Sequence, residues 1–239
     1  NAYYQVGPRR AAEEIGRLVR ETDPALVHLV DNAISPAVLK ELIRKPPGRP
    51  WYGFVRMTRE LIDPHFCAQL KGSGCVMLKI GVESGDEGVL NAMGKGINIA
   101  DMSQGLEALS GAGIATYVYL LFGTPWESEA SAGKTLDFVV GHAPCIDFLN
   151  LAVFNLPHYS PDAAGLEQRP FYDGDLSFYT DFVHPAGWDR KKVRHFLDRV
   201  FIRHPAVREI VKRQPPCFTS NHAAFFCIQG SFNRRPGRV

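Results

Sequence analysis

Cysteine is scarce and badly spaced for metal chemistry. Five stand in 239 residues, at positions 67, 75, 145, 217 and 227, with no CxxC and no CxxxCxxC among them. No metal or cluster site is readable from that spacing. Reduced, buried thiols are the plainer expectation. Charge of one sign is also lacking: the formal net charge is +2 and there is no basic tract, so nothing points to nucleic acid as a partner. Arg234, Arg235 and Arg238 make a short basic tail that reads as solvated. No apolar run reaches about 18 residues, so no membrane span is expected. No secretory signal is visible either, which leaves the cytoplasm as the expected compartment. Solenoid repeats and low-complexity segments are absent. The first residue is Asn1 and a helix follows almost at once, so the chain reads as a fragment whose N-terminal part is missing.

What is present centres on residues 74–85. The run Cys75-Val76-Met77-Leu78-Lys79-Ile80-Gly81-Val82 stops at the polar pair Glu83-Ser84, with Gly81 and Gly85 on either side. Apolar and β-branched residues without strict alternation suit a strand of a parallel sheet covered on both faces. The glycines let backbone come close to something. A carboxylate and a hydroxyl at the end of such a strand lie where α/β folds place ligands. The same residues also suit a turn with Ser84 or Asp86 capping the next helix.

Around that centre, segments of strand type at 25–31, 51–56, 75–82, 114–122 and 146–154 alternate with helical patterns. Ser35 reads as an N-cap with Pro36 at the first helical position. Asp63-Pro64 starts another helix, and Asp101 is expected to cap a third. Strands alternating with helices five times over about 150 residues imply βα units on a parallel sheet. The expected order is sequential, with helices on the outer face. Five such units close no barrel, so one strand is expected to be missing at the front. From Asn155 to Gly187 the composition shifts to Pro, Gly, Asp and aromatics, which reads as a long ordered loop because disordered segments are poor in aromatics. Asp189 then caps an amphipathic helix with Val193, Phe196, Leu197, Val200 and Phe201 inward, followed by a short helix ending at Pro215-Pro216. The organisation is a core over residues 1–155 and a loop and helical extension over 156–239.

Polar residues collect at the strand ends: Asp31-Asn32, Arg56, Glu83-Ser84 and the turn Gly123-Thr124-Pro125. In a barrel of parallel strands these face one rim, the rim that carries active sites. His28, inside an apolar strand, reads as a satisfied core histidine; His158 and His222, in loops near aromatics, read as surface or structural residues, with substrate contact the alternative. Tyr117 and Tyr119 point either into a lumen or under the outer helices.

Four stretches in order carry a resemblance: Gly81-Val82-Glu83-Ser84-Gly85; Val89-Leu90-Asn91-Ala92-Met93-Gly94-Lys95-Gly96; Ala112-Gly113-Ile114; and Gly123-Thr124-Pro125-Trp126-Glu127-Ser128. Over roughly residues 9–162 the chain resembles radical S-adenosylmethionine enzymes, in the branch often fused to a cobalamin-binding domain. The tail Phe218-Thr219-Ser220-Asn221-His222-Ala223 is similar to ends found in that branch. The resemblance implies a partial (βα)6 TIM-like barrel lacking its first strand, with a small helical C-terminal tail. It implies that Asp31 and Asn32 meet the methionine part of S-adenosylmethionine, Glu83 and Ser84 its ribose or amino acid, and Lys95 its carboxylate. It also implies a basic site residue at Arg56, and a Gly123-Thr124-Pro125 turn where Gly123 lets backbone approach the adenine. The chain departs from the pattern at Trp126, where Gly is usual.

The deeper departure is the missing CxxxCxxC, whose three cysteines hold a [4Fe-4S] cluster in that family. The family's motif sits just before the position where this chain begins, so truncation is the expectation. The resemblance thus implies the core of an enzyme that makes a 5′-deoxyadenosyl radical, inactive as it stands. A small-molecule substrate, an electron donor such as flavodoxin or ferredoxin, and cobalamin in an upstream domain go with it. The competing reading is a non-catalytic barrel scaffold or binding module. An unrelated barrel hydrolase or lyase is disfavoured, because the strand ends offer neither a His/Cys/Asp metal set nor a nucleophile with its base.

Overall fold

The computed structural model describes residues 6–172, 174, 176–214 and 219–228. Asn1, Asp173, Pro215, Pro216, Cys217, Phe218 and the basic tail of Arg234, Arg235 and Arg238 lie outside them. Helix α1 (Pro8–Thr22) leads into strand β1 (Val27–Leu29), then α2 (Pro36–Arg44), β2 (Trp51–Val55), α3 (Arg59–Ile62), α4 (Pro64–Gly72) and β3 (Cys75–Glu83). Next come α5 (Glu87–Ala92), α6 (Ile99–Gly111), β4 (Ala115–Phe122), α7 (Glu129–Gly141) and β5 (Phe148–Val153). The five strands form one sheet in the order β1-β2-β3-β4-β5, every pair parallel. Strands in sequential order joined through helices make this an α/β fold, a partial TIM-like barrel.

Local chemistry accounts for most boundaries. Ser35 caps α2, its hydroxyl accepting from the Val38 amide at 3.4 Å with Pro36 in the first turn. Asp63 caps α4 ahead of Pro64, accepting from the His65 amide. The cap of α6 is Asn98, not Asp101: the Asn98 side chain accepts from the Asp101 amide at 2.7 Å. Two short Asx-type residues three apart compete for that role, and the one whose backbone is extended takes it. Asp101 instead sits in the first turn, where a carboxylate suits the helix dipole.

Packing divides by face. Side chains alternating along the strands send Trp51, Val55, Leu78, Ile80, Val118, Leu120 and Leu149 outward, into one large core shared with the crossover helices. The segment after β5 is not featureless. It forms a small antiparallel sheet of β6 (Leu156–Pro157), β7 (Gln168–Arg169) and β8 (Tyr179–Phe182), in the order β6-β8-β7. Helix α8 (Arg190–Phe196), continued by a π turn over Leu197–Phe201, and α9 (Pro205–Val211) return to the main core, burying Val193, Phe196, Phe201, Val207 and Ile210. The π turn explains one miss. It widens the helix by a residue, so Val200, expected inward, is 45% exposed.

Helix α10 (Ser220–Ile228) breaks the expectation that helices keep to the outer face. It lies against the inner face, where Ala223 and Ala224 are fully buried beside Tyr52, Met77, Ala115, Tyr117 and Phe148. The lower half of the inner face is therefore covered. No helix of the described residues is long and apolar enough to cross a membrane.

Candidate functional site

Register places inner-face residues in layers. Phe54, Lys79, Tyr117 and Phe148 share one layer, and Gly81, Tyr119 and Asn150 the next one up. Above them the ladder between β3 and β4 slips, between Gly81 and Glu83, and Glu83 takes a left-handed backbone with φ 65°. That conformation costs a residue with a Cβ roughly 1 kcal/mol or more, which an ordinary strand end has no need to meet. It turns the Glu83 side chain back over Gly81. A Cβ on residue 81 would lie 2.7 Å from Glu83 Oε1 and 3.4 Å from the Phe54 ring, so glycine at 81 is what makes room for the carboxylate. Lys95, in the loop between α5 and α6, reaches Glu83 with Nζ 3.0 Å from Oε1.

Gly85 serves a different approach. A Cβ there would meet the backbone of Lys134 and Thr135 at 2.7 Å, so its lack of a side chain lets α7 pack directly onto the turn. Ser84 is fully buried, its hydroxyl 3.2 Å from Thr135 Oγ1 and accepting from the Asp86 amide at 3.1 Å. Asp86 caps α5 and pairs with Lys134 at 2.7 Å; burial opposes its ionisation, but that lysine and the helix amides outweigh it and hold its pKa below the usual carboxylate value.

The other strand ends stand apart from this pair. Asp31 and Asn32 are exposed, and Asp31 lines an open cavity of about 330 Å³ with Val30, Ile34, Ser35 and α1 residues Ala11 and Ile15. Strands β1 and β3 are two places apart, about 10 Å at ordinary spacing. Arg56 is exposed and makes no hydrogen bond or ion pair with described residues. Gly123 (φ 78°), Thr124 and Pro125 are buried, and a Cβ on Gly123 would lie 3.2 Å from Val193. The structure thus joins Glu83 to Lys95, leaves Asp31, Asn32 and Arg56 at the open rim, and sets Ser84 and the Gly123 turn inside it.

Two buried polar clusters escaped the sequence reading. The first is on the inner face. Lys79 Nζ lies 3.0 Å from His28 Nε2, donates to Asn221 Oδ1 at 3.1 Å, and sits 5.1 Å from the centre of the Tyr52 ring, on which His28 is stacked. Burial lowers the pKa of Lys79. Burial, then the Lys79 charge, lowers that of His28. His28 is thus a satisfied, partly buried histidine. A lone lysine in the run Val76–Val82 was the one available signal. The second is Glu127, only 1% exposed, with the Gly123 amide and the Trp188 indole both donating to it.

Among the described residues no three His, Cys, Asp or Glu side chains converge as metal ligands. The residues present therefore do not fit a thiolate-held cluster. Burial also raises the Cys67 thiol to about 11 and the Cys75 thiol higher still.

No protein-family model matches the chain, and no curated protein matches it in sequence. Among solved structures it is similar to the radical S-adenosylmethionine methyltransferase TsrM from Kitasatospora setae. The form with tryptophan substrate and a SAM analog (aza-SAM) bound gives a TM-score of 0.62 at 17% identity, covering 89% of this chain and 47% of that one. The form with cobalamin and a [4Fe-4S] cluster bound gives 0.58, at the same identity and coverage. The chain spans less than half the length of that protein. At such identity the likeness is one of fold: the chain has the fold of the radical S-adenosylmethionine enzymes.

Proposed function

We propose that this chain is the S-adenosylmethionine-binding core of a radical S-adenosylmethionine enzyme. The observation that carries the reading is Glu83: a carboxylate held in a strained backbone conformation at the end of the central strand, folded over a glycine and paired with Lys95 on the open side of the sheet. Strain of this kind gathers at functional sites.

The chemistry of the pair suits an amino-acid zwitterion. When the methionine end of the cofactor enters, its ammonium takes the place of Lys95 on Glu83 and its carboxylate takes the freed Lys95. Two charge-assisted contacts replace one. Arg56, without a described partner, adds positive charge nearby, and Asp31 and Asn32 extend the polar rim toward β1. Ser84 and the Gly123-Thr124-Pro125 turn act from inside, as the framework that fixes this rim. Aromatic residues of the inner face, Phe54 and Tyr119 in edge contact at 5.6 Å, offer a floor for a small-molecule substrate.

A [4Fe-4S] cluster would supply the electron for radical chemistry on the cofactor. The described residues hold no ligand set for it.

The test is calorimetric titration of S-adenosylmethionine into this chain and into a longer form carrying CxxxCxxC with its cluster. Binding that weakens on substitution of Glu83 or Lys95 supports the reading. No binding to either form, or binding indifferent to both residues, favours a non-catalytic barrel.

A further inference from the structure

Glu127 lies one turn past the end of β4 and is the least exposed carboxylate of the described residues. Its Oε2 accepts from the Gly123 amide at 2.5 Å and from the Trp188 indole at 2.9 Å. Its Oε1, and the Oγ1 of Thr124 in the same turn, are buried without a partner among the described residues. A second tie runs parallel. His184 Nδ1 accepts from the Ala186 amide at 3.2 Å and the Trp188 amide at 3.3 Å, so its Nε2 carries the proton and donates to the Thr124 carbonyl at 2.8 Å. Residues 184–188 follow the small β6-β8-β7 sheet. They are thus pinned to the β4 turn by one neutral histidine and one carboxyl.

Among the described residues no cation pairs with Glu127. The groups that face it are Asp86, a like charge already paired with Lys134, and His184, whose proton is committed to Thr124. A carboxyl so placed is retained at a cost, and its hydrogen bonds describe its use. We infer that Glu127 is a positioning residue: its carboxyl ties the Gly123 backbone at the β4 rim to Trp188 of the covering segment, and so sets the rim against which the proposed cofactor lies. The inference rests on that functional reading. Burial also raises the Glu127 pKa to about 7, so the closed segment binds a proton more tightly than an opened one, in which the carboxyl returns toward its ordinary value.

Hydrogen–deuterium exchange across pH 5.5–8.5, corrected for intrinsic chemistry, tests this on peptides covering 120–128 and 183–190. In the unmodified chain, exchange of both segments should fall together, roughly tenfold or more, as pH falls through 7, because the closed segment holds the Glu127 proton more tightly than the opened one. Glu127→Gln keeps an oxygen for both donors and takes up no proton, so it should stay protected with a flat profile. Glu127→Ala should expose both segments at every pH. Residues 183–190 remaining protected in Glu127→Ala, or identical profiles for the unmodified chain and Glu127→Gln, would overturn the tie. The second comparison decides the matter even where Glu127→Ala does not fold. S-adenosylmethionine titration of the same proteins separates the two claims. No binding to the unmodified protein sinks the functional reading while the exchange result stands. Equal affinity for all three, with the tie lost in Glu127→Ala, sinks the positioning role.

Discussion

Glu83 and Lys95 meet at 3.0 Å because β3 ends in a left-handed residue and the loop after α5 brings a lysine back to it. The lysine side chain is 37% exposed and the carboxylate 19%. A pair so open to water contributes about 0–1 kcal/mol to folding. Its geometry is therefore better explained by what it can bind than by what it stabilises.

Substituting Glu83 should separate stability from binding. Glu83→Gly removes the strained Cβ at φ 65° and should raise the melting temperature by about 2–4 °C, the equivalent of roughly 1 kcal/mol in a chain of this size. Glu83→Gln keeps the shape and loses the charge. It should leave melting almost unchanged while weakening S-adenosylmethionine by about 10- to 100-fold, the loss of one charge-assisted hydrogen bond. A Glu83→Gly protein that melts lower would show that the carboxylate is structural.

Gly81→Ala probes the same site from beneath. The new Cβ would collide with Glu83 Oε1, the free end of a flexible side chain, and only graze Phe54. The fold should absorb this with a small change in melting, while the displaced carboxylate loses Lys95 and cofactor affinity falls about tenfold. Gly85→Ala is the control of opposite kind. Its Cβ meets α7 backbone, so it should destabilise the fold.

Reconstitution with iron and sulfide should give no stoichiometric cluster in this chain. Cys67 and Cys75 are buried with raised thiol pKa values, and no three candidate ligands converge among the described residues. An iron-to-protein ratio near four with the matching visible absorbance would refute this.

The parallel sheet was legible because buried strands carry continuous apolar runs and because Ser35-Pro36 and Asp63-Pro64 announce helix starts within a few residues. Glu83 was legible for the same reason: it ends such a run between glycines. Lys95 entered through family resemblance alone, as a contact to the cofactor's carboxylate, and its pairing with Glu83 was not foreseen. The rest depends on contacts remote in sequence. Glu127 and Trp188 are 61 residues apart, Lys79 and Asn221 142 apart. No local pattern specifies such partners. Helix α10 was unreadable as an inner-face element because what fits it there is two small alanines, Ala223 and Ala224, rather than an apolar stripe. The two glycines around Glu83-Ser84 looked alike in sequence, yet one admits a side chain and the other a helix.

Lys79 offers the sharpest test of the inner face. It is 6% exposed, has no carboxylate partner among the described residues, and is held by His28, Asn221 and the Tyr52 ring. Burial lowers its pKa, so the folded chain binds its proton less tightly than the unfolded chain does. Between the lowered folded value and the ordinary lysine value, the unfolded state holds more protons, and stability must rise with pH across that alkaline window. Lys79→Met keeps a similar length and removes the titration. Replacing an uncompensated buried charge with an apolar side chain is often neutral or stabilising, so the variant should melt at or above the unmodified chain at pH 7. The difference should shrink as pH is raised toward 10. It also removes the hydrogen bond that draws Asn221 inward, so exchange of the peptide covering 219–228 should rise in Lys79→Met while that of β3 does not. Melting curves at several pH values check the first part and exchange the second. A Lys79→Met protein that melts lower at neutral pH, with the gap constant to pH 10, would mean that the ammonium is compensated by an anion within the fold, and the inner face would need a different account.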